Sequence, residues 1–223
     1  MNKRALLATA GAAVAAVLAA TSSATAVGGV PAAGSVLTTG SSAGPAVAVG
    51  DVLAASLASG TSAKIATTSG GSTGITCNAS AFSATVTSNP AAPGTATETL
   101  NSHTLSSCTT NITGATGVQS ITVNNLPYTT SVTSGGALTV SAGSAGPIQT
   151  TLKINTILGL TTCVYRAGNL TASLSNADNS LTFANQLFTK ASGPSTCPAN
   201  GYFSAKYGPV RDTTQAGAPV FVN

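Results

Sequence analysis

A chain of 223 residues with eight Lys or Arg, four Asp or Glu and one His is almost uncharged along its length. Cations this sparse exclude the clustered basic footprint of a nucleic-acid binder, and four carboxylates leave little for acid–base chemistry. Helix-favouring Lys, Glu and Gln are scarce while Ser, Thr and Val abound, which predicts strands.

The first element reads as an export signal. Met1-Asn2-Lys3-Arg4 is a short positive start, Ala5 to Ala20 is an uncharged apolar run, and Thr21 to Ala26 is small and polar. Ala24-Thr25-Ala26 fits the small-x-small pattern of a signal-peptidase site, so residues 1–26 are expected to be cleaved after Ala26. The apolar run of 16 residues, many of them Ala, is short of the roughly 20 that a membrane span needs. The first cysteine is Cys77, too late for a lipid anchor, and Gly217 to Asn223 carries neither a long apolar tail nor a basic end. The mature chain is therefore expected to be secreted, extracellular or loosely associated with the cell wall, without a stable membrane anchor.

Residues 27–46, with Gly-Gly, Pro, Ser and Thr, show no sustained period and read as a flexible lead-in that could end in a first strand. From residue 47 to 223 short apolar runs recur between turn signals about every ten residues, the rhythm of a β-sandwich or barrel. Val52 to Ala58, between Gly50 and Gly60, reads as a strand in this setting. Alternation is visible in Ala81 to Val86 and Val118 to Val123, and it is clearest in Ile148 to Leu158. There Ile148, Thr150, Leu152 and Ile154 share a face opposite Lys153 and Asn155. A three-strand meander is expected next: Cys163-Val164-Tyr165, a turn at Arg166 to Asn169, Leu170/Ala172/Leu174, a turn at Asn176 to Asn179, then Leu181/Phe183/Leu187. The expected fold is an all-β antiparallel β-sandwich, immunoglobulin-like or jelly-roll, stapled by two disulfides and preceded by a helical signal peptide.

The four cysteines, Cys77, Cys108, Cys163 and Cys197, in an exported chain argue for two disulfides. Their order suggests 77–108 and 163–197, with two other pairings open. A zinc site would need ligand spacings that this chain lacks, and no metal or other cofactor is expected.

His103 would be the base of any serine-hydrolase triad, oriented by Glu98, Asp178 or Asp212. No Gly-x-Ser-x-Gly elbow accompanies it, and no carboxylate pair has glycosidase character. No catalytic residues are assigned, and an enzyme is not expected. The chain has no Trp, so any ligand platform falls to tyrosine. Tyr202 and Tyr207, in Tyr202-Phe203-Ser204-Ala205-Lys206-Tyr207, are the candidate ligand contacts, with core filling as the rival role.

A cysteine pair is followed by Asn125-Leu126-Pro127-Tyr128, Cys163-Val164-Tyr165, Ser195-Thr196-Cys197-Pro198 and a terminal Tyr-Phe-x-Ala-x-Tyr strand. That order, over roughly residues 75–210, resembles small secreted actinobacterial proteins known by their Tat or Sec signal sequence and four cysteines. The resemblance implies export and carries no activity or site residues with it. The functional expectation is a secreted non-enzymatic protein with a structural or interaction role at the cell surface. Its expected partner is a cell-wall polymer or another surface protein. The alternative is an extracellular binding module for a glycan or a small apolar ligand.

Overall fold

The computed structural model describes residues 34–223; the expected signal peptide, residues 1–26, and its cleavage site at Ala24 and Ala26 lie outside the described residues. These described residues form fifteen β-strands and no helix. In chain order they are β1 (Leu37–Thr39), β2 (Val52–Ser56), β3 (Ala63–Ala66), β4 (Gly74–Ser88), β5 (Thr95–Thr110), β6 (Ala115–Asn124), β7 (Tyr128–Thr133) and β8 (Ala137–Ser141). Then follow β9 (Ile148–Thr156), β10 (Gly159–Ala167), β11 (Leu170–Ser175), β12 (Ser180–Ser192), β13 (Asn200–Tyr207), β14 (Arg211–Asp212) and β15 (Ala218–Val222).

The expected all-β class stands, but the sheet closes on itself. Antiparallel ladders run β3–β4–β5–β7–β8–β11–β12–β13 and back to β3. Eight strands thus make a closed barrel in chain order rather than two packed sheets. Closure leaves this ring no unpaired edge. Residue alternation does not distinguish the two architectures, because both bury every second side chain. The last ladder to close, β3 against β4, depends on space: a Cβ on Gly74 would lie 2.1 Å from the Ile65 carbonyl oxygen.

Two smaller groups of strands extend the ring. At one end β2 pairs β4 beyond the reach of β3, and β14, β15 and β1 continue outward. β1 is fully buried, and the Asn89 side chain bonds the Leu37 amide and carbonyl at 2.9 and 2.8 Å. The packed fold therefore starts ahead of residue 47, inside the expected lead-in. At the other end β6, β9 and β10 form a flanking sheet joined to the far half of β12. β10 and β11 do not pair with each other, as a meander would require. They lie in succession along one side of β12, β11 against Ser180–Phe183 and β10 against Thr189–Ser192.

Long strands bend around the barrel by means of bulges. Opposite the Ser83–Ala84 step of β4, the β5 partners are Ser102 and Leu100, so Asn101 has no partner. β12 shifts register between Phe183 and Gln186, with Asn185 at φ 48°. Each bulge reverses which side chains face inward. After the first, His103 and Leu105 join Glu98 and Leu100 in lining the barrel interior. After the second, Phe188 is buried and Leu187, expected inside, is 48% exposed. The disulfides pair Cys77 with Cys108 and Cys163 with Cys197. The first links register partners of β4 and β5; the second ties β10 to the loop before β13. Two such bonds require a non-reducing environment.

Candidate functional site

The barrel interior is where this chain concentrates its chemistry. Inward positions of β4, β5, β12 and β13 carry Phe82, His103, Phe183, Phe203 and Tyr207 into one aromatic cluster. Ring centroids are 5.4 Å apart for Phe82–Tyr207, 5.8 Å for His103–Tyr207, 6.0 Å for His103–Phe203 and 5.7 Å for Phe183–Phe203. The geometries are edge-on or tilted, as ring quadrupoles favour. Beside them is a cavity of about 80 Å³, walled chiefly by aliphatic and aromatic side chains. Voids of about 30 and 20 Å³ share wall residues with it, the first through Phe82, Glu98 and Leu181, the second through Ile65, Phe188 and Phe203.

Polar groups enter this apolar chamber at two points. At the first, Ser80 Oγ donates to the Thr104 carbonyl at 2.6 Å and lies 2.7 Å from Tyr207 Oη, which in turn lies 2.7 Å from His103 Nε2. Each hydroxyl has one proton. Ser80 spends its own on the carbonyl, so Tyr207 donates to Ser80, and His103 Nε2–H donates to Tyr207. The relay fixes the imidazole tautomer: Nδ1 is unprotonated, an acceptor with no hydrogen-bond partner among the described residues. Burial pulls the His103 pKa from 6.5 down to about 4, which keeps the ring neutral. It also pushes the Tyr207 hydroxyl up to about 12, with the Ser80 hydrogen bond opposing.

At the second point Thr130 Oγ1 donates to Glu98 Oε2 at 2.8 Å. Burial raises the Glu98 pKa against the opposing effect of this bond. Both residues line the cavity.

A hydrolytic triad is not assembled. Ser80 Oγ comes within 3.4 Å of His103 Nε2, but among the described residues no carboxylate bonds the imidazole. Glu98 is held by Thr130, and Asp178 pairs with Lys206 at 2.5 Å in the β11–β12 turn. Asp212 accepts the amides of Thr214 and Gln215 near β14. Nor do Tyr202 and Tyr207 form a joint platform. Five positions apart on one strand, they point to opposite faces: Tyr202 is half-buried on the outer side and Tyr207 is 1% exposed inside. Tyr207 contacts the cavity from within.

No family model, curated protein or solved structure matches this chain. The chemistry of the interior is thus read from its own geometry.

The neutral imidazole has a measurable consequence. In the unfolded chain His103 titrates near 6.5, in the folded protein near 4, so between these values the unfolded state binds the extra proton. The stability that His103 contributes is complete above pH 6.5 and is lost as pH falls toward 4, about 3 kcal/mol in all. His103→Gln should remove that part of the acid limb. Urea unfolding of both proteins at steps from pH 7 to 4 measures it, and parallel stability curves would refute the assignment.

Proposed function

We propose that the protein is an exported, non-enzymatic binding module whose barrel holds a small, neutral, predominantly apolar molecule bearing one hydroxyl group. The observation that carries this reading is the unpartnered acceptor His103 Nδ1, on a residue that lines a predominantly apolar chamber. Binding sites of this kind are mostly apolar with a few placed polar groups that orient the ligand. A ligand hydroxyl supplies the donor that the imidazole lacks. A carboxylate would bring an unpaired charge into an interior without a cation to meet it, at a large desolvation cost.

Size narrows the class further. A cavity of about 150 Å³ lined by Leu, Ile and Phe accommodates benzene, so the 80 Å³ chamber is small for a ring. The adjoining voids favour a short flexible chain instead. Export is supported by the N-terminal pattern, and a non-catalytic role by a His103–Ser80 contact that lacks a carboxylate.

Alcohols from 1-butanol to 1-octanol test the proposal by thermal shift and calorimetry, with hexanoate and hexane as controls. A neutral alcohol should stabilise the fold saturably and hexanoate should not. His103→Phe should abolish the preference for alcohol over alkane. Absence of saturable binding across the alcohol series, or equal response to hexanoate, would overturn the reading.

A further inference from the structure

The hairpin joining β9 and β10 ends in Ile157 and Leu158, 76% and 86% exposed, with Leu160 beside them at 54%. Nothing in the turn requires apolar side chains there. Thr156 and Gly159 are register partners, and the Thr156 hydroxyl donates to the Gly159 carbonyl at 2.7 Å and accepts from the Leu158 amide at 3.2 Å. Gly159, at φ 108°, takes the conformation that closes the loop. Turn corners ordinarily carry Asn, Asp, Gly or Ser, so the two most exposed positions of this hairpin have been given to large aliphatic residues without structural need. A depression of about 150 Å³ continues the apolar surface from the tip past Ile112, Ala115, Ile154 and Pro198.

Charge is unevenly distributed along the same axis. Among the described residues the end that holds β2, β14 and the β11–β12 turn carries the buried Asp51 and Asp212 and the exposed Asp178, with Lys206 and Arg211 beside them. The half that holds the tip carries Lys64, Lys153, Arg166 and Lys190 and no carboxylate. Lys153 is outward-facing on β9, four residues before Ile157. Lys190 Nζ bonds the carbonyls of Pro194 and Cys197 in the loop that also borders the depression.

We propose that the Ile157–Leu158 tip inserts reversibly into the surface of an anionic lipid membrane, with Lys153 and Lys190 attracted to the headgroups. Exposed aliphatic residues at the tip, with Lys153 and Lys190 on the strands behind it, match an apolar acyl layer beneath an anionic headgroup layer. A glycan polymer offers no partner for isoleucine and leucine. The contact is superficial, made by one turn, and is distinct from anchoring. It stands independently of the barrel's ligand.

The chain contains no tryptophan, so Leu158→Trp places a single indole at the tip. With the full chain, disulfides intact, vesicles of phosphatidylcholine containing a minority of phosphatidylglycerol should shift its emission to the blue. Brominated lipid should quench it, and high salt should reverse both effects. Because the reporter sits on the hairpin, binding through the N-terminal apolar segment would not produce these signals. Ile157→Ser/Leu158→Ser should weaken vesicle partitioning, measured against full-chain wild type, by at least about tenfold. Lys153→Gln and Lys190→Gln should each weaken it about fivefold at low salt. Alcohol binding in the barrel should be unchanged in all of these, which separates this proposal from the interior one. An unshifted, unquenched indole emission from the Leu158→Trp protein would overturn it. So would full partitioning of the double serine variant, or a tip that instead retains a protein or cell-wall polymer with no response to lipid.

Discussion

Tyr207→Ala is expected to cost about 4 kcal/mol of folding stability, the upper range for removing a buried aromatic side chain. Tyr207 is 1% exposed and touches Phe82, Phe183 and His103 edge-on. It stands at the hub of the aromatic cluster, where the wall is already next to a cavity and has little to relax into. Tyr207→Phe separates packing from hydrogen bonding. It keeps the ring and removes the oxygen that accepts from His103 and donates to Ser80, leaving the His103 Nε2–H and the Ser80 oxygen with only their long 3.4 Å contact to each other. That change should cost about 2 kcal/mol. Chemical denaturation of the three proteins gives both numbers. If Tyr207→Phe were neutral, the relay through its hydroxyl would be wrong, and with it the tautomer that leaves His103 Nδ1 free.

That hub was partly legible in the sequence. Tyr202 and Tyr207 are five positions apart, so on a strand without a bulge they point to opposite faces. With few large residues in the chain, at least one of them had to fill the core. The inward turn of His103 was not legible. Counted from Leu100 by strict alternation, positions 102 and 104 would face inside and His103 would face solvent. Only the extra residue Asn101 reverses this, and an Asn among Ser, Thr and His carries no mark of a bulge. The same reversal misplaces Leu187 in favour of Phe188, because Asn185 breaks the count on β12. Strands without bulges read correctly: Ile148, Leu152 and Ile154 are buried along β9 while Lys153 and Asn155 are exposed. Ring closure was beyond reach for a different reason. It is set by which strands meet across the chain's length, β3 with β13, and local alternation carries no information about that pairing.

The cysteines gave up more, because their order already suggested the pairing found, and the consequence is large. The bridges span 31 and 34 residues, for which the chain-entropy relation gives about 4 kcal/mol each. Cys77, Cys163 and Cys197 are at most 2% exposed, so alanine is the proper replacement, a serine hydroxyl being costly there. Cys77→Ala/Cys108→Ala and Cys163→Ala/Cys197→Ala should each lower unfolding free energy by about that amount. Hydrogen exchange should distinguish them. The Cys77 and Cys108 backbones remain register partners in the β4–β5 ladder, so losing their bridge should leave local protection in place. Cys197 lies in the loop between β12 and β13, so losing its bridge should raise exchange in residues 193–199. Removing both bridges subtracts about 8 kcal/mol from a total that for ordinary domains is about 5–15 kcal/mol. A reductant such as dithiothreitol should therefore bring the fold to the edge of unfolding at 37 °C, about where small disulfide-dependent domains fail. Full retention of structure after verified reduction would show that the barrel core suffices alone. The expected loss instead makes a non-reducing environment a condition of the fold.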